Sequence, residues 1–387
     1  MREYVGDSLT LLASYLSDPH SSLHRLYVDI SMPYRPGQYG QATTITKELA
    51  RRTLLVLQGL ITTPVAAICA PVSFIRVVGN WMKKYDFSVR IKHRIPTQQL
   101  QPNERLRVLF LNTCFLFCGF AADHGGARPW KERIVNIVEL VRRNNPHIVC
   151  FGEVHDIKGG VKLCQLLERL GYKIFIHDIG KNNLGANSGL FMASKLDVTD
   201  VSYTPFDSST LLGNIKYVRK GILHFTVNNC ANIAVTHFQH SENDFDPKSE
   251  EKAARQRQVG KVMDVFRDKA NPRLPMLLLG DFNMTQKEFL EESALSKCCQ
   301  DAYLGEEGTQ TDYYDDLLWN PEKAAREGPR YKLLDRCLLV RRLGESEPII
   351  PALGTVVADH VETQDLQHPD KILSDHRGIL AELTTKI

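Results

Sequence analysis

The chain reads as an α+β protein in which two β-sheets pack face to face with helices outside, preceded by a partly hydrophobic extension. Three observations predict this. From residue 106 onward, at least nine short apolar runs of strand length are interspersed with amphipathic helical stretches. Residues 1–100 hold 12 Lys/Arg against 6 Asp/Glu, whereas the rest of the chain holds 36 against 39. Within that basic part, residues 53–75 form a run of 23 residues without a charge.

Taken in order, residues 1–50 carry little beyond a turn-rich loop at 33–40, with two prolines and two glycines in eight positions. The run 53–75 is flanked by Arg51 and Arg52 before and by Arg76, Lys83 and Lys84 after. Its length could cross a bilayer. Gln58, Gly59, Thr62, Thr63, Pro64 and Pro71 dilute it, and the prolines predict a kinked helix. It begins too far from Met1 for an ordinary signal peptide. Two readings stand side by side: contact with a membrane, which the basic flanks suit, and a helical hairpin packed on the protein body. Residues 86–104 are mostly polar and carry Pro96 and Pro102, which predicts a linker. The expected division is therefore an extension over 1–104 and one large domain over 105–387.

In that domain, strands are predicted at 106–111, 147–151, 172–176, 189–193, 221–227, 231–236, 276–279, 333–340 and 378–383. A helix over 130–143 follows Pro129, tolerated at a helix start, and places Ile134, Ile137, Val138 and Val141 on one face. A second, over 160–170, is closed by Gly171. A third, over 249–266, aligns Val259, Val262, Met263 and Phe266. The nine cysteines lie mainly in apolar runs without zinc-ligand spacing, so they read as free thiols in a reducing setting. The slightly acidic balance of the large domain argues against a strong nucleic-acid footprint.

Chemistry is suggested where apolar runs end. The stretch Pro-Met-Leu-Leu-Leu-Gly-Asp-Phe-Asn (275–283) reads as a buried strand stopped by Gly280. Asp281 and Asn283 then follow at i, i+2, a spacing that points both to one side of an extended segment. Asn112 ends the first strand, and Glu153 ends the second directly after four apolar or near-apolar positions. A carboxylate there is costly unless it is paired or binds a cation. Oxygen ligands few in number, completed by water and phosphate, suit Mg²⁺. His237 ends another strand and could bond a phosphoryl oxygen or protonate a leaving group; His240, three residues on, carries no second indication. Asp335 sits inside the run 333–340, and Asp375 and His376 precede the last strand. A buried carboxylate beside an imidazole fixes its tautomer and raises its basicity, the arrangement of a general base. Each residue alone is more simply a turn residue, a capped histidine or an ion-pair partner. Five such clusters in one chain are a much stronger signal.

The order of these clusters resembles the endonuclease/exonuclease/phosphatase superfamily, with Gly-Asp-Phe-Asn (280–283) and Ser-Asp-His (374–376) as its most specific parts. Within it the chain looks like the neutral sphingomyelinase branch, on the stretches 106–112, 188–195, Lys220-Gly221, 235–237 and 301–304. The resemblance implies a four-layer α/β/β/α sandwich over roughly 105–387. It also implies that Glu153 is the main Mg²⁺ ligand with Asn112 nearby, and that Asp281 and Asn283 orient nucleophile and phosphate. His376 would be the general base oriented by Asp335, Asp375 would support metal and nucleophile, and His237 would stabilise the phosphate or assist the leaving group. Arg255 and Gln258 match a superfamily pattern but look structural. The chain departs from many relatives at Gly152, where they carry Gln or Glu, and in the apolar residues Phe115, Leu116, Phe117 and Phe120 after Asn112. The expected activity is Mg²⁺-dependent water attack on a phosphodiester, foremost sphingomyelin or a related choline phospholipid at a membrane. The alternatives are a nuclease or an inositol-phosphate phosphatase of the same fold, and a non-catalytic membrane-tethered module.

Overall fold

In a computed structural model of the chain, the described residues are 2–31, 44–69, 72–101, 104–116, 127–182, 186–227, 230–241, 247–303, 307–311, 313, 316, 320–344, 346–347, 354–363 and 372–385. The loop expected at 33–40, Pro71, Phe117, Phe120 and Leu304 lie outside them. Four helices come first: α1 (Arg2–Leu16), α2 (Asp18–Ser31), α3 (Ile45–Cys69) and α4 (Val72–Met82). There follow β1 (Ser88–Ile91), β2 (Leu106–Phe115), α5 (Trp130–Asn144), β3 (Ile148–Val154), α6 (Ile157–Glu168), β4 (Ile174–His177), β5 (Phe191–Ser194) and β6 (Val198–Pro205). The second half carries β7 (Gly221–Val227), β8 (Ala231–His237), α7 (Ser249–Lys269), β9 (Met276–Asp281) and β10 (Cys299–Asp301). A two-stranded ribbon of β11 (Gln310–Thr311) and β12 (Tyr331–Lys332) precedes β13 (Asp335–Val340), β14 (Gly354–Val361) and β15 (Gly378–Thr385).

One sheet has the order β1-β4-β5-β3-β2-β15-β14 and the other β10-β13-β9-β8-β7-β6. Their inner faces meet in a core that includes Phe110, Cys150, Met192, Phe225, Val235, Leu279 and Cys337, all fully buried. α5 and α6 cover the outer face of the first sheet through Ile137, Val141, Leu163 and Leu167. α7 covers the second through Val259, Val262 and Phe266. This is the four-layer sandwich. The central strands are buried on both faces and read as continuous apolar runs for that reason.

The edges were the illegible part. β1 lies in the stretch expected to be a linker, yet it pairs antiparallel with β4, Val89 opposite Ile176. The expected boundary at 104/105 therefore falls behind a strand that already belongs to the sandwich. β6, β10 and β14 were not foreseen either; β14 buries alternate residues only, as an edge strand does. In the extension, α3 runs as one helix through Pro64, where a kink was expected. It is long and apolar enough to cross a membrane by length and composition, and only 6% of its most apolar stretch is buried. Leu54, Ile61 and Ile68 are all largely exposed. α4 by contrast packs along α1, and Lys83 just after it pairs with Asp178 at 2.5 Å.

Candidate active site

Strand register assembles the site. β8 and β9 run parallel with His237 beside Asp281, and β9 and β13 antiparallel with Asp281 beside Asp335. Three polar residues thus stand abreast at one end of the second sheet. In the first sheet β2 and β3 run parallel with Asn112 beside Gly152, which brings Glu153 to the same end. Ser374, Asp375 and His376 lead into β15, the other neighbour of β2.

Backbone conformation at these strand ends is unusual. Cys114, Glu153 and Asn283 have φ of 49°, 58° and 50°, a region that L-residues rarely adopt and that clusters at functional sites. Gly280 is required by close packing: a Cβ there would stand 2.1 Å from the Thr236 carbonyl oxygen. Gly189 has φ +76°, and a Cβ on it would meet His155 Cε1 at 2.6 Å and Glu153 Cα at 2.9 Å. Both glycines let neighbouring backbone close tightly around the acidic residues.

The eight predicted site residues come together. His376 Nδ1 hydrogen-bonds Asp335 Oδ2 at 2.7 Å, and both residues are buried. The opposite ring nitrogen, Nε2, lies 3.9 Å from Asp281 Oδ2, 3.9 Å from Asp375 Oδ2 and 3.5 Å from Asn112 Nδ2. Asn112 Nδ2 also donates to Asp281 Oδ2 at 3.2 Å, and its Oδ1 accepts the Cys114 N–H. His237 Nε2 stands 3.5 Å from Asp281 Oδ2 and 3.9 Å from Glu153 Oε1. Asp281 Oδ1 accepts the Asn283 N–H at 2.9 Å, and Asn283 Nδ2 donates to the Phe238 carbonyl at 3.3 Å. His240 is exposed.

Sequence reading gave a bracing role only to Arg255 and Gln258 among the residues that hold these groups. Ser374 Oγ donates to Asn112 O at 2.6 Å and accepts the His376 N–H, tying the two loops. Buried Arg133, on α5, donates to Thr113 O at 2.8 Å and Cys114 O at 2.6 Å, and also to Leu373 O. Thr309 Oγ1 accepts the N–H groups of Leu334 and Asp335. Lys220 is buried beneath the carboxylates and donates to Phe238 O at 2.5 Å. Arg255 pairs with Glu288 at 2.7 Å and donates to Gln239 O, while Gln258 accepts the Gln239 N–H. Those two brace the chain just after His237 and do not enter the cluster. For Lys220 the signal was the Lys220-Gly221 pair among the stretches that carry the family resemblance, which assigned it no role; Arg133 sat on a helix face where arginine is ordinary.

Charge is crowded here. Burial and the nearby Asp335 push Asp281 up to about 7, against the pull of His376 and Lys220. Burial disfavours charge on Glu153 too, but His155, His376, the Asn112 amide and Lys220 hold it below the ordinary carboxylate range. Burial opposes the imidazolium of His376, yet Asp335, Asp375 and Asp281 outweigh it and raise its pKa well above the usual value. Burial with Lys220 and the neighbouring histidines pushes His237 well below it. That direction favours a neutral ring, which can donate a hydrogen bond from one nitrogen. Burial brings Lys220 down to about 8.

Ligating atoms of Asp281, Asp335 and His376 lie within 4.8 Å of one another, close enough to hold a metal ion. Asp335 Oδ2 and His376 Nδ1 engage each other, which leaves Asp281, with Asp375 and Glu153 around it, to face a cation. These hard carboxylate oxygens, too many to ionise comfortably together, fit a divalent cation such as Mg²⁺.

The sequence profile of the Endonuclease/Exonuclease/phosphatase family matches residues 110–376. No curated protein matches the chain. Among solved structures, SmcL is similar at 16% identity over 72% of this chain and 99% of its own, with a TM-score of 0.51. A beta toxin variant from Staphylococcus aureus with bound magnesium ions is similar at 17% identity over 73% and 100%, TM-score 0.51. At such identity the likeness is one of fold. The family match spans every one of the eight clustered residues. The chain belongs to the Endonuclease/Exonuclease/phosphatase family and, by that family's chemistry, is a metal-dependent phosphoric diester hydrolase.

Proposed function

We propose that the chain hydrolyses the phosphodiester of sphingomyelin or a related choline phospholipid by direct attack of water, with Mg²⁺ as its ion. The observation that carries the mechanism is the Asp335–His376 hydrogen bond of 2.7 Å, with Nε2 turned toward Asp281, Asp375 and Asn112. His376 accepts the proton of the attacking water at Nε2 while Asp335 holds the ring by Nδ1. Asp281 and Asn112 orient that water, and Asn283 and His237 donate hydrogen bonds to phosphoryl oxygens. Glu153, Asp375 and Asn112 would hold the cation, with Asp281 beside them. When bound, the cation would supply Lewis-acid polarisation of the phosphoryl group and let the carboxylates ionise together.

The lipid substrate is supported by the branch resemblance and by the exposed apolar face of α3, through which we place the protein on a membrane. The working unit is residues 105–387 together with β1, and residues before β1 form the extension. The test is turnover of sphingomyelin, a phosphoinositide and DNA by purified protein, with Mg²⁺ and with EDTA. Metal-dependent release of phosphocholine supports the proposal. Turnover confined to DNA or to inositol phosphates would transfer the same chemistry to another substrate, and no turnover of sphingomyelin would overturn the proposal.

A further inference from the structure

A second site lies beside the catalytic one. A cleft of about 410 Å³ opens between the end of β6 and the outer side of α7. Arg219, Arg257 and Lys261 line it. None of the three has a carboxylate within ion-pair distance among the described residues; Arg257 reaches only the Thr210 carbonyl, at 3.4 Å. The one acid in the lining, Asp207, uses Oδ1 to accept the Ser209 N–H.

Gln258 supplies an independent sign. It is 1% exposed and lines the same cleft. Its Oε1 accepts the Gln239 N–H at 2.9 Å, but its Nε2 is buried without a hydrogen-bond partner. A buried amide donor left unsatisfied costs about 1–3 kcal/mol. An acceptor in the cleft would remove that cost. Two guanidinium groups and an ammonium outnumber the single carboxylate in the lining, and Gln258, with its free amide N–H, lines the same cleft; phosphate oxygens match this predominantly cationic donor set. The volume accommodates a phosphate with part of an attached group.

We propose that this cleft binds a phosphate group, separately from the catalytic centre. It shares a wall with that centre. Phe206 at the cleft packs edge-on against Phe238, with ring centroids 5.8 Å apart, and its N–H donates to Lys220 O. Gln258 in turn holds Gln239, two residues past His237. The bound phosphate belongs either to an anionic lipid headgroup or to a soluble phosphate ester.

The probe is inorganic phosphate, titrated in EDTA into the full chain while backbone amide shifts are followed, so that neither hydrolysis nor the metal enters the result. Saturable shifts at residues 207–210 and 257–261 are expected. They should weaken at least tenfold in the double variant Arg257→Gln/Lys261→Gln, whose side chains are exposed and whose loss leaves Tm unchanged. Gln258→Glu keeps the oxygen that Gln239 needs and turns the free donor into an acceptor, so it should weaken binding as well. Shifts confined to the surroundings of Asp281 and His376, or no saturable shift, would overturn the proposal. Co-sedimentation with phosphatidylcholine vesicles, with and without phosphatidylglycerol, separates the sources. Anionic-lipid binding reduced in the double variant assigns the site to a headgroup; equal binding assigns it to a soluble ester.

Discussion

At the scale of single residues, the catalytic reading rests on two carboxylates with different duties. Asp335 gives Oδ2 to the His376 imidazole, and its Oδ1 has no hydrogen-bond partner among the described residues, so the one side-chain hydrogen bond it makes there is the hold on His376. General-base catalysis contributes about 10²–10⁴-fold, so His376→Ala should lose on that order of kcat toward sphingomyelin micelles. Asp335→Asn should also lose activity, because the ring loses its charged partner and can adopt the wrong tautomer. Wild-type kcat in His376→Ala would remove the base assignment. Glu153, whose side chain is 23% exposed, has a different duty. Glu153→Gln keeps its shape and removes its charge, so Mg²⁺-dependent turnover should collapse while Tm changes little. The concentration of Mg²⁺ giving half-maximal rate is the measurement; an unaltered value with an unaltered rate would exclude Glu153 as a ligand. These residues were legible in the sequence because a charged or amide group ending an apolar strand is costly without a purpose. Arg133 was not, since a lone cation announces nothing about where its helix will be buried, and Lys220 stood out only through the family resemblance.

At the scale of elements, the site depends on how firmly two loops are fixed to each other. α5 does this through one side chain: Arg133 gathers carbonyls from the end of β2 and from the loop before Asp375. A lysine keeps the charge but lacks the planar fork that serves several acceptors at once. Arg133→Lys should therefore reduce kcat by roughly 10- to 100-fold, the penalty of a displacement of about 1 Å at the reacting groups. KM should move far less than kcat. Equal losses in kcat and in the fraction of folded protein would show a role in stability alone. α3 behaves differently. Its outward side chains hold nothing together, so Leu54→Gln, Ile61→Gln and Ile68→Gln combined should leave Tm within about 2 °C. If α3 meets a membrane, the same triple variant should lose co-sedimentation with liposomes; unchanged sedimentation would remove the membrane from the proposal. Deleting residues 1–100 is a poorer test, because it takes away β1 and exposes the edge of β4.

At the scale of the whole molecule, what the sequence makes legible follows burial. Core strands such as β2, β8 and β9 are buried almost throughout, carry long apolar runs and were placed to within a few residues. β1, β6 and β14 alternate or are mostly polar, because one of their faces or edges meets solvent, and so were not read as strands. The same burial makes the protein's stability depend on pH. His224 on β7 is fully buried against Phe266, the two rings meeting edge to face. Burial pushes its pKa down to about 4, against a smaller opposing pull from Asp200. His177, also buried, is brought down to about 3. Below the unfolded histidine value of about 6.5, the unfolded chain takes up protons that the folded protein refuses, so stability falls as pH falls. For His224 the loss runs from about pH 6.5 to its folded value near 4 and amounts to about 3 kcal/mol, at up to about 1.4 kcal/mol per pH unit. Asp178, held down to about 2 by Lys83 and Asn187 despite its burial, acts in a separate window below about pH 4. His224→Phe removes the titrating group while keeping an aromatic ring against Phe266. Its unfolding free energy from urea titrations should decline less steeply between pH 6.5 and 4.5, by about one proton's worth. Parallel declines for wild type and variant would mean that His224 gains its proton without unfolding, and that the core around β7 admits a charge.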